Sequence, residues 1–154
     1  MALFNLTDLA AGLTRGQRLI GIDPGSRTIG VALSDVSLTL ASPYAGLKRG
    51  KMAGNAADIS AIAQREAAGG LVIGLPLQMD GSVGASAQAA RDWAHALSQA
   101  TSLPACLYDE RLSSAAVNRM LIEADTSRGR RAEIVDKLAA CYILQAALDY
   151  LRAR

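Results

Sequence analysis

Several residue types that build common functional sites are scarce in this chain of 154 residues. The two cysteines, Cys106 and Cys141, lack the C-x-x-C spacing of zinc and redox sites, so we expect free thiols in a reducing compartment. The single histidine, His95, excludes a histidine-rich zinc centre. Aromatic residues make up only 4% and form no stripe on which single-stranded bases would stack. These absences disfavour a zinc site built from cysteine and histidine.

Long hydrophobic runs and strong charge are also missing. No stretch reaches the roughly 18 consecutive apolar residues of a membrane span, so a membrane is not expected among the partners. The N-terminus lacks the basic region and small-residue cleavage site of a signal peptide, and the expected location is the cytoplasm. The net charge is only +2, so a surface that binds polyanions has to be local.

The pattern of apolar residues predicts an α/β fold. Three short runs separated by turns indicate an antiparallel meander, and two later runs alternate with helices and should be parallel to the first strand. We therefore expect a five-stranded mixed sheet with helices on both faces. The predicted strands cover 19–22, 28–33, 38–44, 71–73 and 105–108, and the main predicted helices cover 58–68, 85–99, 113–124 and 132–151. Residues 1–18 are interpreted as an N-terminal helical extension, and 19–154 as a single domain.

Three carboxylates stand out by position. Asp23 ends the first strand, Glu110 follows the last strand, and Asp136 lies near the start of the final helix. Asp136 continues a row of apolar residues at helical spacing, so it is expected to point inward; that row is Ala140, Ile143 and Ala147. Simpler interpretations stay open. Asp23 could form a turn, Glu110 could be a solvated loop residue or pair with Arg111, and Asp136 could be an ordinary charge near a helix N-terminus.

Three inward carboxylates repel one another, and a divalent cation relieves that repulsion. Oxygen ligands without histidine or cysteine favour Mg²⁺ or Mn²⁺. The corresponding chemistry is hydrolysis of phosphodiester bonds. We therefore predict Asp23, Glu110 and Asp136 as catalytic and metal-binding residues.

Basic residues lie close to these acids in sequence. A cluster directly before and after Asp136 is predicted to contact the phosphates of a nucleic acid, and we add the arginine beside Glu110 to it. These residues are Arg111, Arg128, Arg130, Arg131 and Lys137. A second cluster, Lys48, Arg49 and Lys51, fits phosphate contacts and solvated surface charge equally well.

A glycine-bearing loop, residues 74–84, follows a buried strand and precedes a helix. Backbone N–H groups at such a junction can hold a phosphate, so Gly74 and Gly81 are candidate substrate-binding positions. The loop has neither the Walker sequence nor the G-x-G-x-x-G pattern. A plain connecting loop is an equally good interpretation of this segment on its own.

Five segments of the chain, in this order and spacing, resemble the YqgF-type family of pre-16S rRNA nucleases, which are Holliday-junction-resolvase-like proteins with an RNase H-like fold. The segments are LIGIDPGSRTIGVALSD (19–35), ASPYAGLKR (41–49), LVIGLPLQMDGSVG (71–84), YDERLSSAAVNRML (108–121) and DKLAACYILQAALD (136–149). The resemblance implies an RNase H-like fold and a role in maturing the 5′ end of precursor 16S rRNA. It also implies that Asp23, Glu110 and Asp136 are the catalytic, metal-binding acids.

These observations lead to one main functional hypothesis and two alternatives. The main hypothesis is a metal-dependent nuclease that processes precursor rRNA. The alternatives are a Holliday junction resolvase acting on branched DNA, and a nucleic-acid-binding regulatory module with little catalysis. In each case the partner is a nucleic acid, and we expect a monomer or a weak homodimer.

Overall fold

A computed structural model describes residues 3–75, 85–110 and 128–153, with the side chains of 85, 86 and 128–136 left out. The strands are β1 (Leu3–Phe4), β2 (Arg18–Pro24), β3 (Thr28–Ser34), β4 (Ala41–Lys48), β5 (Ala68–Leu75) and β6 (Ala105–Asp109). The helices are α1 (Leu6–Ala11), α2 (Met52–Glu66), α3 (Ala85–Thr101) and α4 (Arg128–Arg152). The predicted helix at 113–124 lies outside the described residues.

The sheet has the strand order β1-β6-β5-β2-β3-β4. Strands β2, β3 and β4 form the predicted antiparallel meander, and β5 and β6 are added in parallel beside β2. The mixed sheet is confirmed, but within the described residues it has six strands, not the five predicted. The extra strand, β1, is only two residues long and pairs with the distant Ala105 and Cys106, so it leaves no periodic pattern in the sequence.

Helices cover both faces of the sheet, as predicted. One hydrophobic cluster joins Ile20 and Ile22 of β2 to helices α2 and α3. A second cluster, on the opposite face, joins Leu19 of β2 to helices α1 and α4. Since side chains alternate between the faces of a strand, Asp23 belongs to the face covered by α4.

Two of the predicted boundaries near the meander are wrong. The third strand begins at Ala41, not at residue 38, because the preceding segment is a loop in which Leu38 has a φ of 56°. The Asp35 carboxylate holds this loop by accepting hydrogen bonds from the backbone N–H groups of Thr39 and Leu40. Helix α2 begins at Met52, six residues before the predicted start at 58. The apolar pattern misses this first part because one of its buried positions is polar: Asn55 is buried, and its side chain bonds to the preceding loop.

The final helix also begins earlier than predicted. It starts at Arg128, so Arg128, Arg130 and Arg131, which precede the helix predicted over 132–151, belong to its first turns. Arginine is a good helix former, and the helix extends beyond the apolar row by which it was recognised. Among the described residues, no helix is both long enough and apolar enough to cross a membrane.

Candidate active site

Asp23 is buried at the carboxyl end of β2, with only 5% of its surface exposed. The preceding residues are apolar and pair with a strand on each side, which fixes the backbone that carries the carboxylate. A tight turn follows, in which the N–H of Gly25 donates to the carbonyl of Asp23 at 2.9 Å. This i to i+2 bond is the pattern of a γ-turn centred on Pro24, whose ring limits the backbone angle φ. The carboxylate is therefore carried on backbone with little freedom.

Glu110 lies directly after β6 and is also buried, with 8% of its surface exposed. A Cβ placed on Gly74 would lie 3.3 Å from Cγ and 3.5 Å from Cδ of Glu110. The Glu110 side chain thus extends over Gly74, on the neighbouring strand β5. Ile22 of β2 pairs with Ile73 of β5, so Asp23 and Gly74 are the next residues along two adjacent strands.

The two buried carboxylates therefore lie close together at one edge of the sheet, the edge formed by the carboxyl ends of its parallel strands. Strands β2, β5 and β6 are parallel, and neighbouring strands are about 4.8 Å apart. Asp23 and Glu110 stand on the outer two of these three strands, on the face covered by α4. The carboxyl group of Glu110, over the middle strand, is about one strand spacing from the backbone that carries Asp23.

Helix α4 runs antiparallel to β4, and β4 is parallel to β2. The side chain of Gln145 accepts a hydrogen bond from the backbone N–H of Ala41, while Cε of Lys137 lies 4.0 Å from the Cβ position of Gly46. The amino-terminal half of α4 therefore points toward the carboxyl ends of β4 and β2, the end at which Asp23 stands.

This direction locates the third acid. The carbonyl of Ala140 lies 3.0 Å from the Cβ position of Gly21. From Gly21 to Asp23 the strand advances by about 7 Å, and from Ala140 back to Asp136 the helix advances in the same direction by about 6 Å. The backbone of Asp136, one turn before Ala140, thus lies at the level of Asp23; its side chain is outside the described part.

Residues 17–150 match the family described as "RuvX: Holliday junction resolvase". The chain belongs to the RuvX family. The match spans both buried carboxylates, the strands that carry them and most of α4. It agrees with the resemblance found in the sequence.

Curated relatives extend this assignment over nearly the whole chain. A protein of Acidiphilium cryptum (strain JF-5) is 64% identical over 151 residues, which cover 98% of this chain and 96% of that protein. A protein of Gluconacetobacter diazotrophicus is 64% identical over 150 residues, which cover 97% of each. Both carry the name "Putative pre-16S rRNA nuclease".

A solved structure supports the fold class. RuvC of T. thermophilus, in complex with a Holliday junction substrate, matches with a TM-score of 0.53 at 15% sequence identity. The match covers 89% of this chain and 96% of RuvC. At this identity the likeness concerns the fold, and it confirms the expected RNase H-like α/β architecture for the RuvX-family chain.

The predicted substrate-binding residues are described to different extents. Lys137 is half-buried, and its carbon chain extends toward β4. Arg128, Arg130 and Arg131 lie on the first turns of α4, but their side chains are outside the described part. Arg111 and Gly81 are outside it altogether. Their roles remain predictions.

Gly74 has a structural role that the sequence did not reveal. A Cβ at this position would approach Cδ1 of Ile143 to 2.6 Å and would crowd the side chain of Glu110. The absent side chain leaves room for Glu110 beside Asp23. The sequence carries one signal for this role. Gly74 lies near the end of a buried strand, and the strands on either side of it in the sheet lead into the acidic residues Asp23 and Glu110.

The sequence predicts that Asp136 lies near the start of the final helix, where the helix dipole would favour its ionised form. It lies about two turns into α4, because that helix begins at Arg128. The field of a helix dipole acts mainly within the first turn, so it gives no special reason for Asp136 to be ionised. Residues 128–135 of α4 precede Asp136, so its expected position near a helix N-terminus is wrong, while its role stays a prediction.

The donor chemistry of this edge fits a hard divalent cation. Asp23 and Glu110 supply oxygen ligands from a buried position, and no buried histidine or cysteine competes beside them in the described part. Among the side chains that the structure describes, no three acidic, histidine or cysteine residues gather into a metal site. A complete site would need a third ligand, and the backbone of Asp136 lies at the same level.

Proposed function

We propose that this RuvX-family protein is a metal-dependent nuclease that processes the 5′ end of precursor 16S rRNA. The observation that carries the proposal is the pair of buried carboxylates, Asp23 and Glu110, on one face at the ends of three parallel strands. Two carboxylates held close together repel each other, and a divalent cation bound by both relieves that repulsion. The name of the relatives supports the choice of precursor 16S rRNA as substrate.

In this proposal Asp23, Glu110 and Asp136 hold Mg²⁺ or Mn²⁺. Such an ion, when bound, makes water a stronger nucleophile and stabilises charge on the leaving oxygen. The sheet holds Asp23 and Glu110 at a fixed separation before substrate arrives. Other groups position the phosphates of the nucleic acid: Arg111, Arg128, Arg130, Arg131, Lys137 and the backbone N–H groups of Gly74 and Gly81. The protein acts in the cytoplasm as a monomer or a weak homodimer.

Branched DNA is the second candidate substrate, because the matching family is described as a Holliday junction resolvase. The same acids would serve either substrate, since both reactions hydrolyse a phosphodiester bond. The two candidates differ in the shape of the nucleic acid that reaches the acids.

The test is cleavage by the purified protein with Mg²⁺ or Mn²⁺. A precursor 16S rRNA fragment with its 5′ leader is compared with a four-way DNA junction of similar length. Asp23→Asn and Glu110→Gln are expected to lower cleavage by about 100-fold or more, because metal-assisted charge stabilisation is worth several kcal/mol. Asp58→Asn is the matched control, because Asp58 is exposed on α2 away from this edge.

The outcomes separate the hypotheses. Faster cleavage of the junction than of the rRNA would favour the resolvase. Equal cleavage by the wild type and Asp23→Asn would refute the mechanism. Nucleic-acid binding that persists in EDTA, without cleavage under any condition, would favour a regulatory module instead.

A further inference from the structure

The turn that follows Asp23 is held by a side chain from another part of the chain. Nη1 of Arg49, the residue after β4, donates a hydrogen bond to the carbonyl of Gly25 at 2.9 Å and lies 3.4 Å from the carbonyl of Pro24. The N–H of Gly25 in turn donates to the carbonyl of Asp23. Two hydrogen bonds thus connect the guanidinium to the backbone of the buried acid.

Arg49 is itself held on two sides. Its guanidinium carbon lies 5.1 Å from the centre of the Trp93 ring on α3, within the range of a cation–π contact. Its backbone N–H donates to the carbonyl of Arg27, at the other end of the same turn, at 2.9 Å. Arg49 therefore bonds to both ends of the turn, once through its side chain and once through its backbone.

Asn55 fixes the loop that carries Arg49. Its Nδ2 donates to the carbonyl of Lys48 at 3.0 Å, and its Oδ1 accepts from the N–H of Gly50 at 2.9 Å. These two backbone groups flank Arg49, and Asn55 is only 3% exposed. A buried amide with both ends bonded holds the loop in one conformation.

The guanidinium lies on the face of the sheet opposite the Asp23 carboxylate. Trp93 packs against the cluster formed with α2 and α3, whereas Asp23 belongs to the face covered by α4. The donors of Arg49 point at backbone carbonyls of the turn. This arrangement favours an action through the turn over direct contact with a phosphate at the carboxylates.

We propose that Arg49 is a positioning residue for Asp23: it fixes the Pro24–Gly25 turn, and thereby the direction of the carboxylate, from the far side of the sheet. The inference rests on the proposed function, because it assigns Asp23 to the reaction. Residues that orient metal-binding side chains usually affect metal affinity or activity about 10- to 100-fold. We expect such a loss in kcat and in Mn²⁺ affinity, with KM for the nucleic acid unchanged.

The experiment compares Arg49→Ala and Arg49→Lys with the wild type and a matched control. The control is Arg65→Ala, because Arg65 also lies over an aromatic ring, 5.9 Å from the centre of Tyr44, and donates hydrogen bonds to the Tyr44 hydroxyl. Arg65 has no contact with the turn in any of these interactions. Three quantities are measured: kcat and KM for the rRNA fragment at several salt concentrations, Mn²⁺ affinity by titration calorimetry without nucleic acid, and thermal unfolding.

The expected result is a 10- to 100-fold loss of kcat and weaker Mn²⁺ binding for Arg49→Ala, a smaller loss for Arg49→Lys, and wild-type values for Arg65→Ala. Lysine keeps a positively charged donor group but lacks the planar guanidinium, so it restores only part of the turn's support. If Arg49→Ala is unfolded, Arg49→Lys tests the inference instead: its kcat and Mn²⁺ affinity should both fall below the wild-type values.

Two results would overturn the inference. One is wild-type kcat and Mn²⁺ affinity in the folded Arg49 variants. The other is a raised KM and a weaker salt dependence with kcat intact, which would make Arg49 a phosphate contact. Failure of the proposed function looks different, because Asp23→Asn would then cleave as well as the wild type.

Discussion

The contact between Gly21 of β2 and helix α4 allows a sharp prediction about stability. A Cβ at residue 21 would lie 2.7 Å from Cβ of Leu144 and 3.0 Å from the carbonyl oxygen of Ala140. Neither atom moves when a side chain rotates, since one is backbone and the other is fixed to it. Gly21→Ala can therefore be accommodated only if the helix and the strand separate.

The size of the effect follows from these distances. Carbon atoms pack comfortably at about 3.5 Å or more, so α4 would have to move by about 0.8 Å at this point. Overpacking of a tight core typically costs about 1 to 3 kcal/mol, and the rigid contact favours the upper part of that range. For a protein of this size, each kcal/mol lowers Tm by about 2 to 4 °C. We expect Gly21→Ala to lower Tm by about 4 to 12 °C.

Thermal and urea unfolding followed by circular dichroism measure this change. The matched control is Gly54→Ala on α2, where a Cβ would meet no atom within 4 Å. Alanine favours helix by up to about 1 kcal/mol over glycine, so the control should be as stable as the wild type or more stable. A Gly21→Ala variant with wild-type stability would refute the steric argument, since the same substitution would then be harmless at both sites.

Two further predictions concern the site and the pH dependence. Gly74→Ala should lower cleavage by up to about 100-fold by displacing Glu110, while unfolding changes by only about 1 kcal/mol because the end of Ile143 can move aside; wild-type cleavage would contradict the steric role of Gly74. Burial raises the pKa of the Cys106 thiol from 9.0 to about 11, so its contribution to the free energy of unfolding is complete below the lower value and is lost as the pH rises through the higher one. The full loss, reached above pH 11, is about 2 to 3 kcal/mol, of which about 1.3 kcal/mol falls between pH 8 and pH 10. Urea unfolding at these two pH values should show a decline smaller by about that amount for Cys106→Ala than for the wild type; equal declines would contradict the prediction.

Local patterns predicted most of the sheet. Strands β2 and β3 are apolar runs joined by a tight turn, and β5 and β6 are short apolar runs between helical patterns, so each carries its signal in its own residues. The strand β1 carries none, because Leu3 and Phe4 become a strand only by pairing with Ala105 and Cys106. The start of β4 was missed for a related reason: the apolar residue Leu38 looks like strand, but the hydrogen bonds to Asp35 hold its neighbours in a loop.

The sequence predicts which acids should come together in the candidate site, but not the contacts that position them. Their positions at the ends of apolar runs predict Asp23 and Glu110, and the structure brings these two to one edge of the sheet. The space left by Gly74 and the support from Arg49 were not predicted. Both depend on contacts between atoms of different strands or of opposite faces of the sheet, and such contacts leave no periodic pattern in the sequence.

By itself, the sequence determined the α/β class, the helices on both faces and the kind of ligands available, because these depend on the spacing of apolar residues and on which polar residues are present. Only the tertiary structure decided that Glu110 extends over Gly74 toward Asp23, and that Arg49 holds the Asp23 turn from the opposite face. The physical reason is that short-range order follows from neighbouring residues, whereas the position of a side chain in the site depends on hydrogen bonds and close contacts between distant segments.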